Sequence, residues 1–497
     1  MKRFFPLSFY NLVSFIGFAI VGISFGLILF LMLLEAMSES PKPYMGIIAF
    51  VILPAFLLIG LGIAIVGIFR ARRHALAGHP HGTHLPRIDL SNPHHRAAFV
   101  AISLGAIFLL LFSAFGSFKA YEHTDSDQFC GETCHDVMEP EYTAYQFSPH
   151  ARVGCVKCHI GSGADWFVRS KLSGTYQLYA VLFNKFPRPI PTPIRNLRPA
   201  QETCEQCHWP KHFFSEKLIK NQYYLSDEKN TNWMVDLLIK IGGGNSEAGP
   251  TSGIHWHMNI MNTLMYVPVD STRQVIPWIR SRGPDGKVTV YRSTENTLTD
   301  EEIAKAETRK MDCIDCHNRP THIYHPAPRS VNHVMSLGWI NPKLPGVKGI
   351  AVKALESPYA TKHGGLDSIK LMIDQYFRTE HPDVAVSMKE DVTRCVEEVQ
   401  KIFSRNYFPE MGVSWRRFPN NIGHLYYPGC FRCHDGKHVS EDGKVLSRDC
   451  NTCHTILAQQ FQQDTLRVSL SGVEYRHPVD IGDAWKETNC SDCHAGN

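Results

Sequence analysis

A strong charge of one sign is missing from this chain: 51 Lys and Arg face 47 Asp and Glu over 497 residues, a net charge of +4. That excess is too small to hold the phosphates of a nucleic acid, and no nucleic-acid-binding motif accompanies it. Long apolar runs are missing from everything after residue 118, so the 44% hydrophobic content is unevenly spread. Spare cysteine is missing as well. Fourteen of the 15 cysteines fall into one recurring pattern and only Cys395 stands outside it, which leaves no separate set of thiols for a disulfide framework.

The pattern is Cys-x-x-Cys-His. Six regular copies comprise Cys155, Cys158 and His159; Cys204, Cys207 and His208; Cys313, Cys316 and His317; Cys430, Cys433 and His434; Cys450, Cys453 and His454; and Cys490, Cys493 and His494. A stretched copy, with one more residue between the thiols, is made by Cys130, Cys134 and His135. Chance at this composition gives only about 0.02 regular copies. Two thiols at this spacing form thioethers to the vinyl groups of a haem, and the next His reaches its iron, so the motifs predict seven covalently bound haem c. Zinc ribbons and thioredoxin-like pairs use the same two thiols, but neither accounts for a His after every second Cys.

Three runs free of charge, Leu12 to Leu34, Met45 to Phe69 and Ala97 to Phe118, are each at least 22 residues long, enough to cross a bilayer as helices. The first is too long for the apolar core of a signal peptide and no Ala-x-Ala site follows it, so it reads as an uncleaved anchor. Basic residues near span ends stay in the cytoplasm. Lys2 and Arg3 precede the first span. The second connection carries Arg70, Arg72, Arg73, Arg87 and Arg96 against Asp89, while the first has only Lys42 beside two Glu. This predicts that everything from about residue 119 lies outside the inner membrane, in a bacterial periplasm. Six His in the basic connection, His74, His79, His81, His84, His94 and His95, then lie on the wrong side for haem and read as a solvated linker near anionic lipid.

The predicted fold is mainly α: three N-terminal transmembrane helices (12–34, 45–69, 97–118) within an anchor of residues 1–118, followed by a loop-rich multihaem c-type cytochrome domain of mostly helix and coil. Within the exported part, motif positions suggest a three-haem domain at 119–215, a spacer with one haem at 216–420 and a three-haem module at 421–497. Gly283-Pro284-Asp285-Gly286 predicts a hairpin turn inside Val275 to Tyr291. Thr299 to Glu302 has capping-box spacing. Val384 to Phe403 has the apolar period of a surface helix, with Cys395 as a buried small side chain. Pro187, Pro189, Pro191 and Pro193 predict an extended strut.

An iron with two protein ligands carries electrons, whereas one with an open position also binds small substrates. Seven motif His and six in the basic connection leave thirteen others of the 26. His150, His212, His322, His424, His438 and His477 lie next to motifs and are the candidate second ligands. One of His255 and His257, which flank Trp256, supplies another, with His257 the choice. His123, His325, His333, His363 and His381 are weaker candidates. No Cys-x-x-Cys-Lys variant occurs, so the commonest sequence sign of a multihaem nitrite-reducing centre is absent.

Residues 130–208 resemble the NapC/NirT family of membrane-anchored, quinol-oxidising multihaem cytochromes. Met138, Glu139, Pro140 and Tyr142 after the first motif, His150 before the second, and Phe167 and Lys171 after it carry the resemblance. With three spans and seven motifs, the whole chain looks like the ImcH-type inner-membrane cytochromes. The resemblance implies a quinol pocket beside the first haem, Lys171 as a quinol-site residue, and Met138 or His135 as ligand of the first iron. Some relatives place an Asp seven residues after that Lys, where this chain has Leu178, and Asp165, six residues before Lys171, is the candidate to supply the quinol-site carboxylate instead.

These readings point to a quinol dehydrogenase that takes electrons from menaquinol in the membrane pool and passes them to a periplasmic c-type cytochrome in anaerobic or extracellular metal respiration. Two alternatives stay open: a terminal reductase of a small nitrogen or sulfur substrate, and a wire subunit with no quinol site. The sequence does not decide whether the chain acts alone, as a homo-oligomer or within a complex. Mass spectrometry of the purified chain is expected to find seven covalent haem additions; six, with Cys130 and Cys134 as free thiols, would remove the stretched motif from the count.

Overall fold

A computed structural model of the chain describes residues 11–36, 53–76, 91–133, 135–161, 163–194, 198–209, 213, 215–243, 253–259, 261–461 and 464–495. It divides into two units, residues 1–129 with 155–178, and residues 130–154 with 179–497.

The first unit contains three long helices, α1 (Leu12–Ala36), α2 (Leu53–Leu76) and α3 (Pro93–Thr124). Small residues let α1 and α2 touch along their backbones. A Cβ added at Gly17 would lie 2.4 Å from the Ala64 nitrogen, and one at Gly60 would lie 2.9 Å from the Gly17 carbonyl. Polar groups are satisfied across the same seam: Ser14 Oγ donates to the Ala64 carbonyl at 3.1 Å and Asn11 Nδ2 to the Gly67 carbonyl at 3.2 Å. Phe15, Leu58 and Phe69 stand exposed. Small and polar inside with large apolar outside is the arrangement of helices solvated by lipid. Among the described residues two helices are long and apolar enough to cross a membrane, Leu12–Leu31 and Leu53–Arg73. The third predicted run lies within α3. Residues 45–52 of the second predicted span, and His79, His81 and His84, lie outside the described residues.

The second unit combines a helical core with two antiparallel sheets, which the expectation of mostly helix and coil did not include. Its strands are β1 (Lys217–Tyr224), β2 (Asn232–Ile239), β3 (Thr263–Val267), β4 (Trp278–Arg282), β5 (Val288–Ser293), β6 (Arg309–Lys310), β7 (His438–Ser440), β8 (His454–Phe461) and β9 (Arg467–Val468). One sheet runs β1-β2-β8-β9 and the other β6-β3-β4-β5-β7. Because β8 pairs with β2 and β7 with β5, residues 421–497 are woven into the 216–420 segment. The β4–β5 hairpin turns at Gly283 to Gly286 as its sequence predicts, with Gly286 at φ +75°. The predicted capping box forms at Thr299 and Glu302 and starts the helix Asp300–Lys305.

The core packs α6 (Ala327–Ser336), α7 (Val347–Glu356), α8 (Lys362–Glu380) and α9 (Lys389–Asn406). Val331, Ala351, Ile369, Ile373, Phe377 and Val399 are all fully buried there. The expected helix over 384–403 is present but broken at Met388, where Pro382–Ser387 ends and α9 begins. Cys395 is wholly buried on α9, and burial pushes its thiol up to about 12, so it is inert packing, as expected. Phe186 and Ile190 of the proline-containing segment pack against this core.

Lys348 of α7 is 2% exposed, and its ammonium donates to the Pro328 carbonyl and, at 2.7 Å, to Asn332 Oδ1. Burial pushes it down to about 7. Between that value and the unfolded pKa of about 10.4, the unfolded chain holds one more proton, so stability rises with pH by roughly 1.4 kcal/mol per unit at most. Below about 7 this contribution is flat. Urea midpoints measured from pH 7 to 9 are expected to climb, and Lys348→Met is expected to flatten that climb.

Candidate metal centres

Each described regular motif is wound into a single turn, which gathers two thiols and the following imidazole. Cys155–His159, Cys313–Cys316 and Cys490–His494 are short α-helices, and Gly429–Arg432 and Cys450–Thr452 are 3-10 turns. Side chains that precede the first thiol fix several starts: Asp312 caps the fourth motif, Asp449 the sixth and Asn489 the seventh. The His amide closes the turn onto the first Cys carbonyl at 2.7 Å for His208, 2.8 Å for His317 and 3.0 Å for His434.

Five motif His face a second imidazole. Ring centres are 6.0 Å apart for His150 and His208, 6.4 Å for His255 and His317, 6.0 Å for His257 and His434, 6.1 Å for His424 and His454, and 6.1 Å for His477 and His494. Two metal–nitrogen bonds of about 2 Å plus the distance from each nitrogen to its ring centre give about 6.3 Å for imidazoles on opposite sides of one metal. The gaps therefore fit an iron. Hydrogen bonds aim the rings. The Nδ1 atoms of His255, His257, His434 and His477 lie 2.7, 2.8, 3.1 and 2.7 Å from the carbonyls of Ile241, Ile254, Ser447 and Val479. An Nδ1–H that donates to a carbonyl selects the tautomer whose Nε2 lone pair faces a metal. Burial pushes the pKa of His255, His257, His317, His434, His454 and His494 down, and that of His424 down to about 4, so these rings are neutral. Nδ1 of both His424 and His454 is buried without a protein partner.

Of the predicted second ligands, His257 faces the fifth motif and His477 the seventh, whereas His150, which precedes the second motif, faces the third, and His424, which precedes the fifth, faces the sixth. His255 faces the fourth motif, so both members of the pair around Trp256 are used where only one was chosen. They lie on the 3-10 turn Ile254–Met258, and with three residues per turn, positions two apart diverge by about 120°, toward different motifs. His322 Nδ1 lies 2.9 Å from the Glu141 carbonyl, in the same orientation as the paired rings. His438 is a correction. It is buried with Nδ1 2.9 Å from Asp435 Oδ1 and Nε2 2.7 Å from the Ile276 carbonyl, so both nitrogens are spent within the protein and neither is left for iron. His381 contacts Tyr376 and Glu228, and His363 contacts Asp367. His212 and Cys134 lie outside the described residues, as do the side chains of His135, Asp165 and Phe167. Met138 is half-buried on α4 (His135–Gln146).

In the first unit, Lys171 lies on α5 (Ala164–Leu182), and its Nζ reaches Asp125 Oδ1 at 3.2 Å and Thr124 Oγ1 at 3.4 Å, at the end of α3. Asp125 was missed in the sequence, because nothing in its spacing ties it to Lys171 across 46 residues.

The attachment thiols of successive motifs are neighbours. Cys204 and Cys313 hydrogen-bond through sulfur. Cys316 lies close enough to Cys430 and Cys433, Cys430 to Cys453, and Cys450 to Cys490, for the charge of one thiolate to disfavour the other. The third to seventh motifs thus form a file in chain order.

Residues 92–189 match the NapC/NirT cytochrome c family, N-terminal region. Cytochrome c-type protein ImcH of Geobacter sulfurreducens is 43% identical over 486 residues, which cover 98% of this chain and 95% of that protein. No solved structure matches. His257→Ala and His424→Ala are each expected to turn one low-spin centre high-spin in the absorbance and EPR spectra. His438→Ala is expected to leave every centre low-spin while lowering stability by about 1–3 kcal/mol through lost interior hydrogen bonds.

Proposed function

Since this chain belongs to the family of ImcH-type c-type cytochromes with a NapC/NirT N-terminal region, and so carries covalently bound haem c for electron transfer, we propose that it oxidises menaquinol at the outer face of the cytoplasmic membrane. The proposal includes three spans, a periplasmic domain with seven haems, and a periplasmic c-type cytochrome as acceptor. The Lys171–Asp125 pair carries it. Quinol gives up two protons and two electrons, and this pair sets an ammonium donor and a carboxylate acceptor at the end of the helix that holds the third apolar run. Lys171 Nζ would donate to a quinol oxygen and orient it. Asp125, whose side chain is 14% exposed, would accept a hydroxyl proton through its carboxylate. Thr124 Oγ1, within reach of the same ammonium, holds Lys171 toward α3.

When bound, haem iron with two protein ligands cycles between its ferric and ferrous states one electron at a time. Facing imidazoles at five motifs support a wire of electron-carrying centres fed by the quinol site rather than a terminal reductase, which needs an open iron position. The basic residues Arg70, Arg72 and Arg73, which end α2, support a cytoplasmic second connection and hence an external haem domain.

Lys171→Ala and Asp125→Asn, in the detergent-solubilised full chain, are expected to slow reduction by a menaquinol analogue roughly 100-fold. Reduction by dithionite and the haem content should stay unchanged. Wild-type rates with the analogue in both variants would move the quinol pocket away from this pair.

A further inference from the structure

The fourth and fifth motifs carry opposite charges between their thiols, Asp315 in Cys313-Ile314-Asp315-Cys316 and Arg432 in Cys430-Phe431-Arg432-Cys433. Asp315 is 2% exposed, and its Oδ1 accepts from Tyr266 Oη at 2.8 Å, Arg273 Nη1 at 2.9 Å and Arg309 Nε at 2.9 Å. Its Oδ2 accepts from the Asp312 amide at 2.7 Å. One carboxylate therefore meets two guanidiniums. The third guanidinium, Arg432, is also buried, and it spends its donors on carbonyls: Gly429 at 2.8 Å, Arg273 at 2.9 Å and Asp315 at 2.7 Å. Among the described residues no carboxylate lies within ion-pairing distance of it.

Three buried or half-buried guanidiniums gather around Asp315, an excess of cations at this junction that Asp312, whose side chain accepts from the Cys313 amide, offsets only at the start of the fourth motif. Carbonyl dipoles solvate Arg432 but do not cancel its charge. Asp435, beyond Cys433, is engaged by His438 Nδ1 at 2.9 Å. The previous junction has the other sign. There, Glu205 directly follows Cys204 in the chain, and the Asp312 side chain accepts from the Cys313 amide. The field thus changes from negative to positive along the file. An electron added to an iron is a negative charge, and it is stabilised where the buried field is positive.

We propose that Arg432, with Arg273 and Arg309 outnumbering Asp315, raises the reduction potential at the fourth and fifth attachment sites above that at the third, so that electrons fall toward this junction. The proposal rests on the wire reading above, and it gives that wire a direction.

Spectroelectrochemical titration of the purified full-length holoprotein tests it. Arg432→Gln keeps hydrogen-bonding capacity and removes the charge. It is expected to lower one or two of the reduction steps by a tenfold change in the reduced-to-oxidised ratio, 59 mV for one electron. Arg432→Lys, which keeps the charge, is expected to restore most of the shift. Asp315→Asn should move the same steps upward, a reversal of sign that loosened packing would not produce. Unmoved potentials with intact low-spin spectra overturn the field proposal and leave the wire standing, whereas wild-type protein with few low-spin centres overturns the wire. If Arg432→Gln does not accumulate, Asp315→Asn decides alone: an unchanged or lower potential refutes the proposal.

Discussion

The separation of facing imidazoles, 6.0 to 6.4 Å between ring centres, is the constraint on which the second unit depends. Each facing pair joins a motif turn to another stretch of chain, from 17 residues away for His477 and His494 to 177 for His257 and His434. The apolar interior does not make these connections. The large buried cluster is built mainly from the four core helices, whereas among the described residues the cluster under the β3–β4–β5 sheet contains Tyr266, Ile276 and Ile279, with Tyr291, Met311, Cys433 and Leu446 against it. A metal bound between two rings acts as a cross-link, and its binding free energy adds to folding. Sequence given to ligands and attachment turns does not build a core, so the sheets are thin, and two of their strands, β7 and β8, come from the C-terminal motif region.

The membrane unit solves a different problem. Lipid gives no hydrophobic reward for pairing two apolar helices, so α1 and α2 meet through Gly17, Gly60 and Gly67 and through the hydrogen bonds of Asn11 and Ser14. Asp125 follows α3 directly, so the Lys171 ion pair forms at the end of that helix.

Chemistry encoded over short distances was legible in the sequence. The motif turns, the β4–β5 hairpin, the capping box at Thr299 and the buried Cys395 depend on neighbours within a few residues. The facing rings were partly legible: proximity singled out His150, His424 and His477, but only His477 faces the motif it precedes, while His150 and His424 each face the motif after it. It failed at His438 because proximity does not report where a ring points, and Asp435 with the Ile276 carbonyl turns that ring into the interior. His255 and His257 have no motif nearby, and their separate destinations follow from a 3-10 turn that periodicity does not reveal. The first sheet escaped for a similar reason. Lys-Leu-Ile-Lys-Asn-Gln-Tyr-Tyr of β1 lacks a clean alternation, and β2 is close to a continuous apolar run. Asp125 meets Lys171 only through tertiary structure.

The order of each facing pair along the chain has a consequence for how the molecule is made. His150 precedes His208, His255 precedes His317, His257 precedes His434, His424 precedes His454 and His477 precedes His494. In each of these five pairs the facing imidazole is therefore upstream of the motif thiols. Synthesis runs from the N-terminus, so when each of these motifs emerges its remaining ligand is already on the chain. None of the five centres has to wait, half-coordinated, for sequence not yet translated. The file can be assembled one centre at a time, in the order in which its motifs emerge.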